Sequence, residues 1–182
     1  MEKFRKRYLT SPRQFFVLLG RTVGAKSRAI FAGRDGRISR AFAERINLAV
    51  SGVSECAYCS HLHAQMALEN GVSDEEIRRI LGGDLEGCPA DEAPVLAYAT
   101  HWAESDGRPS AEARGRAMES AGRARILRAE SVMAAVYMGN MCSNVIEARR
   151  AGEWQGGVGP TLAFVLAWPV AVFVKTMGRY PD

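Results

Sequence analysis

The sequence predicts an all-α fold, a single-domain helical bundle of about seven to eight helices. Three observations carry this prediction. Nearly every periodic segment repeats its apolar residues at helical spacing. No segment alternates apolar and polar residues as a half-buried strand would. Capping residues and glycine-rich breaks punctuate the chain at helix-length intervals. A chain of 182 residues is long enough for a real core without disulfide staples.

Ser11-Pro12 predicts a helix start, with serine as cap and proline in the first turn, and the helix runs to about Ala32. Residues 33–36, Gly-Arg-Asp-Gly, break it. Ser39 caps a second helix through about Val50, burying Phe42 and Ile46, and Ser51-Gly52 interrupts the pattern. Ser54 is the expected cap of the next helix, which stops at Asn70-Gly71. Ser73-Asp74-Glu75-Glu76 reads as a capping box opening a short helix to Leu81. After a loop from Gly82 to Pro89, Asp91 starts a helix ending at Asp106-Gly107. Ser110 caps another, ending near Gly122, and a long helix follows from Arg123 to Arg150. Gly156 to Pro160 is a loop before a last apolar stretch, Leu162 to Val174, broken by Pro169. That stretch reads as a buried core helix, being too short to span a bilayer.

Charge divides the chain. Residues 1–40 hold 11 Lys/Arg against Glu2 and Asp35, a net of +9, whereas residues 41–182 carry a net of −5. The expected organisation is a basic helical arm over 1–35, a core over 36–155 and an apolar C-terminal segment over 156–182. The last would pack on the core or on a neighbouring subunit. A basic arm docking on an acidic body or a neighbouring subunit is the simplest reading. Contact with an anionic membrane surface ranks below it. Nucleic acid ranks lower still, because no zinc finger or aromatic-interleaved basic motif is present. The N-terminal apolar run, Phe15 to Leu19, is too short for a signal peptide, which points to a cytoplasmic protein.

The chemistry concentrates in Cys56-Ala57-Tyr58-Cys59-Ser60-His61-Leu62-His63. On one helix, positions 56, 59 and 63 fall within about 60° of one another. Two thiols three residues apart have alpha carbons about 5 Å apart, within reach of a disulfide. Cys56 near a helix start gains from the unpaired N–H groups and the dipole there, which favour thiolate. His63, four residues after Cys59, is its neighbour on the helix and a candidate base. Spacing alone leaves open which thiol attacks. Glu44, on the preceding helix, would orient the imidazole if the two helices pack that way. Tyr58 is a pocket wall or a hydrogen-bond donor. A structural zinc site is the weaker reading, since Cys56, Cys59 and His63 supply three ligands where four are needed. Cys142 among Met138, Met141 and Val145 reads as a core thiol, Cys88 as a loop residue, and His101 beside Trp102 as packing.

The pattern A-x-x-E-R-I-x-L-A-V-S, C-A-Y-C-S-x-x-H-A and L-x-x-G-V-S-D-E-E-I, over Ala41 to Ile77, resembles the carboxymuconolactone decarboxylase-like family, most closely its alkylhydroperoxidase D branch. The resemblance extends over about residues 36 to 150. It implies an all-helical homo-oligomer, commonly a trimer or hexamer, that reduces organic hydroperoxides. It implies that Cys59 attacks the peroxide, that Cys56 resolves the sulfenic acid to a disulfide, and that Glu44 and His63 relay protons through a water. A dithiol reductant, such as a lipoyl-bearing protein, would reset the site, with no metal or organic cofactor. Tyr58 stands where the best-studied members carry a histidine, and a phenol is a poor base near neutral pH. The namesake decarboxylases generally lack the thiol pair, so decarboxylation is the weaker expectation. The alternative outside catalysis is an oligomeric redox sensor or binding protein that keeps the pair as a switch.

Overall fold

A computed structural model describes residues 6–32, 36–153 and 157–177, with side chains described to Phe173. Among the described residues there are eight α-helices and no strand. They are α1 (Pro12–Ile30), α2 (Arg40–Ser54), α3 (Ala57–Glu69), α4 (Asp74–Leu81), α5 (Ala93–Glu104), α6 (Ala111–Ala121), α7 (Arg123–Arg150) and α8 (Val158–Met177). The long α7 is the axis of the bundle: it touches every other helix except α4. Its inward positions, among them Ile126, Met133, Cys142 and Val145, are fully buried, and α2 answers with Phe42, Ile46, Leu48 and Val50.

The serine caps form as the sequence predicts. Ser11, Ser39, Ser73 and Ser110 each accept from the backbone N–H three residues on. The Ser73 box is half made, because the Glu76 carboxylate reaches across to Arg45 at 2.6 Å instead of back to the cap. Arg45 also binds Glu92 at 3.1 Å, so it ties α2 to α4 and to the start of α5. That is why α5 begins at Ala93 rather than Asp91: Glu92 is taken by Arg45 and Asp91 by Arg125, and neither side chain caps the helix.

Two expectations change in the site region. Ser51-Gly52 does not break α2, which continues to Ser54. A β-carbon on Gly52 would lie 2.7 Å from the Leu81 carbonyl oxygen, so this glycine lets α2 and α4 touch rather than ending a helix. Ser54 does not cap α3 either. Its hydroxyl donates to the Val50 carbonyl at 2.9 Å, and Cys56 is the cap.

The apolar C-terminal stretch is a helix with two faces. Ala163, Ala167 and Ala171 are buried, and their small side chains bring α8 close against its neighbours. Leu162, Val165, Trp168 and Phe173 on the other face are about half exposed or more. The expected buried core helix is therefore buried on one side only. No helix among the described residues is long and apolar enough to cross a membrane.

Candidate functional site

Two residues, Glu55 and Cys56, separate α2 from α3. Glu55 adopts a left-handed conformation, φ 49°, and the Cys56 N–H returns to the Ser51 carbonyl at 3.3 Å, a Schellman-type closure. This corner delivers Cys56 to the N-cap of the next helix. Its Sγ accepts from the Cys59 backbone N–H at 3.3 Å, so a thiol does the work usually left to a serine or aspartate. Cys56 and Cys59 are both free thiols and fully buried, packed with Tyr58, Leu62 and Met66 in a small cluster apart from the main core.

Burial first, then the neighbouring Cys56 sulfur, hold the Cys59 thiol well above the ordinary thiol range; Ser143 opposes this and Glu147 adds to it. Cys59 therefore needs a base to ionise.

The base and its orienter meet. His63 Nδ1 lies 2.7 Å from Glu44 Oε2, and the same oxygen accepts from Asn47 Nδ2 at 3.2 Å. The contact comes from α2 packing on α3. With Glu44 ionised, Nδ1 carries the proton and Nε2 keeps its lone pair, the tautomer a base requires. His63 retains 15% side-chain exposure against 8% for Glu44, so the imidazole opens towards solvent while the carboxylate does not. Among the described residues no hydrogen bond joins His63 to either thiol. The Cys59 sulfur instead meets the Ser143 hydroxyl at 3.7 Å.

Ser143 belongs to a set of residues that the motif does not reveal. Asn140, Ser143, Asn144, Glu147 and Arg150 form a polar seam along the C-terminal half of α7. Asn144 Nδ2 donates to the Ser54 carbonyl at 2.9 Å, securing the end of α2 just before the thiols. Ser51 Oγ donates to Asn140 Oδ1 at 3.3 Å. Glu147 pairs with Lys6, and Arg150 Nη1 donates to the Tyr58 hydroxyl at 2.6 Å. The signal for this seam is polar residues recurring at helical spacing inside an otherwise apolar helix. Tyr58 is both wall and polar contact: its ring joins the thiol cluster and its oxygen accepts from Arg150.

Cys142 is fully buried in the main core, and burial pushes its thiol up to about 12. Cys88 is half-buried beside Arg45 and Glu76. Among the described residues no group of three or more His, Cys, Asp and Glu side chains is arranged to hold a metal ion.

The model of the carboxymuconolactone decarboxylase family matches residues 19–105, from within α1 to the residue after α5. The match contains Glu44, Cys56, Cys59 and His63. It starts earlier than the resemblance read from the motif and ends before the α7 seam. No curated protein and no solved structure matches the chain.

Proposed function

We propose that this chain, carboxymuconolactone decarboxylase-like over residues 19–105, is a thiol-dependent peroxidase of the alkylhydroperoxidase D type. The observation that carries the reading is the 2.7 Å contact between Glu44 and His63 beside a free C-x-x-C pair. Through a bridging water, His63 Nε2 takes the Cys59 proton, and Ser143 offers a hydroxyl to the sulfur anion. The thiolate attacks the terminal oxygen of a hydroperoxide, the O–O bond breaks, and the leaving alkoxide takes a proton back from the imidazolium. Cys59 is then a sulfenic acid. Cys56 attacks that sulfur, the S–S bond forms, and the S–O bond breaks to release water. A dithiol such as a lipoyl group reduces the disulfide and is itself oxidised. The subunits act in a homo-oligomer, a trimer or hexamer; the exposed Phe16, Val23 and Ile30 of α1, with Phe31 just after it, support association.

A stopped-flow assay with an organic hydroperoxide and a dithiol tests the assignment. Cys59→Ser is expected to react with no peroxide. Cys56→Ser is expected to consume one equivalent, leave a trappable sulfenic acid, and stop. His63→Gln is expected to slow attack by about 10²-fold or more. Full activity in Cys59→Ser would overturn the choice of attacking thiol.

The complete burial of Cys59 and its upward-shifted thiol favour a second reading, a slow redox sensor. Stoichiometric oxidation of the pair without turnover would select it.

A further inference from the structure

The bundle carries an open groove of about 970 Å³ between the end of α7 and α8. Its walls are Ile146, Phe164, Val165, Trp168 and Val172, and its polar side chains are Arg149 and Arg150. This size lies in the range of small-molecule sites, and apolar walls with a few convergent polar groups are their usual make-up. Among the described residues no acidic side chain lines it. The Arg149 guanidinium lies 4.5 Å from the centre of the Phe164 ring, which sets a cation directly against the apolar wall. Arg150 faces two ways: it lines the groove and also binds the Tyr58 hydroxyl at 2.6 Å. Tyr58 packs on Cys56 and Cys59. The groove therefore reaches the thiol pair through one arginine and one phenol.

We propose that this groove binds an amphipathic monoanion, a long-chain carboxylate, with the acid group on Arg149 and Arg150 and the chain along Phe164, Val165 and Trp168. Resting on the peroxidase reading, the substrate class becomes hydroperoxides of long-chain carboxylic acids. The chemistry of the walls selects this ligand. Two guanidiniums at the rim of an apolar trough reward one negative end and one water-averse body, and a neutral alkyl hydroperoxide would use only half of it. Arg150 would divide its donors between the carboxylate and Tyr58, which ties occupation of the groove to the residue covering the thiols.

Calorimetric titration of the full-length reduced protein with monomeric dodecanoate tests the groove directly. Dodecanoate is expected to bind at least about tenfold more tightly than dodecanol, the value of one charge-assisted contact. Affinity should rise about two- to fourfold per added methylene. Arg149→Gln/Arg150→Gln should lose the preference for the acid. Val165→Glu, a change at a half-exposed site that should leave folding intact, should weaken dodecanoate by about tenfold through like-charge repulsion. Equal binding of acid and alcohol, or unchanged affinity in both variants, would overturn the proposal. So would binding to phosphatidylglycerol vesicles without binding to monomeric dodecanoate, which would assign the face to a membrane surface. The two readings fail separately. A protein that binds dodecanoate but reduces no hydroperoxide sinks the peroxidase alone; one that reduces tert-butyl hydroperoxide but binds no dodecanoate sinks the groove alone.

Discussion

Glu44 and Glu130 are carboxylates buried to nearly the same degree, 6% and 5% exposed, and the fold holds them in opposite ways. Glu130 on α7 takes two parallel bonds from Arg114, at 2.6 and 2.8 Å, and a third from the Tyr98 hydroxyl at 2.8 Å. Burial and that carboxylate push the Tyr98 phenol above its ordinary range, so it stays a donor. A permanent cation answers the carboxylate, and the phenol keeps its proton near neutral pH. Among the described residues no arginine pairs with Glu44. An amide and an imidazole answer it, and the imidazole can gain and lose a proton. Faced by arginine, a buried carboxylate is a fastener that joins α5, α6 and α7. Faced by histidine, it becomes a handle on a proton.

The largest expected effect breaks the handle. Glu44→Gln should lower the rate of hydroperoxide reduction by about 10²- to 10⁴-fold. Its melting temperature should move by only a few degrees in calorimetry. Retained activity would erase the contrast. The mirror experiment removes the fastener. Breaking a fully buried pair costs about 3–5 kcal/mol. Arg114 keeps 38% side-chain exposure and can rehydrate, so about 2 kcal/mol is expected for Glu130→Ala. That corresponds to a fall of about 4–8 °C in melting temperature. Peroxide reduction at low temperature should be untouched.

A third test separates the regions by pH. Cys142, on the thiol side, holds its proton in the folded state up to about 12, whereas an unfolded thiol loses it near 8.5. Above that lower value the unfolded chain binds fewer protons, so stability must fall as pH rises. Denaturant melts at pH 8 and pH 10 should show the loss, and Cys142→Ala should recover up to about 2 kcal/mol of it. An unaltered slope would show that the thiol is more open to water than the fold suggests. The smallest effect is expected from Tyr98→Phe, which removes one of three bonds to Glu130 and should cost about 1 kcal/mol in the same melts.

The fold was legible where local chemistry decides it. Ser110 before α6 marks a helix start by its hydroxyl and Gly122 before α7 marks a helix end by its positive φ, and both boundaries fall where the sequence puts them. It was less legible where a distant group intervenes. Gly52 reads as a breaker until the Leu81 carbonyl is seen against it, and Asp91 reads as the start of α5 until Arg125 claims it. At the site, the pairing of Glu44 with His63 could be raised but not decided, because nineteen positions along the chain say nothing about how α2 crosses α3. Ser143 and Arg150 lie beyond the motif altogether. They reach Cys59 and Tyr58 only because α7 runs through the centre of the bundle.

The cap at Cys56 has a consequence for how oxidation would be felt. The sulfur that accepts from the Cys59 amide is also the sulfur that would form the disulfide. Bonding that sulfur to Cys59 Sγ constrains its position and takes up one of its valences, so closing the bridge weakens the first turn of α3 as it consumes the thiols. The backbone amide of Cys59 is thus a built-in gauge of redox state. Its hydrogen exchange should be slow in the reduced protein and measurably faster in the oxidised one, with Tyr58 carried on the same turn.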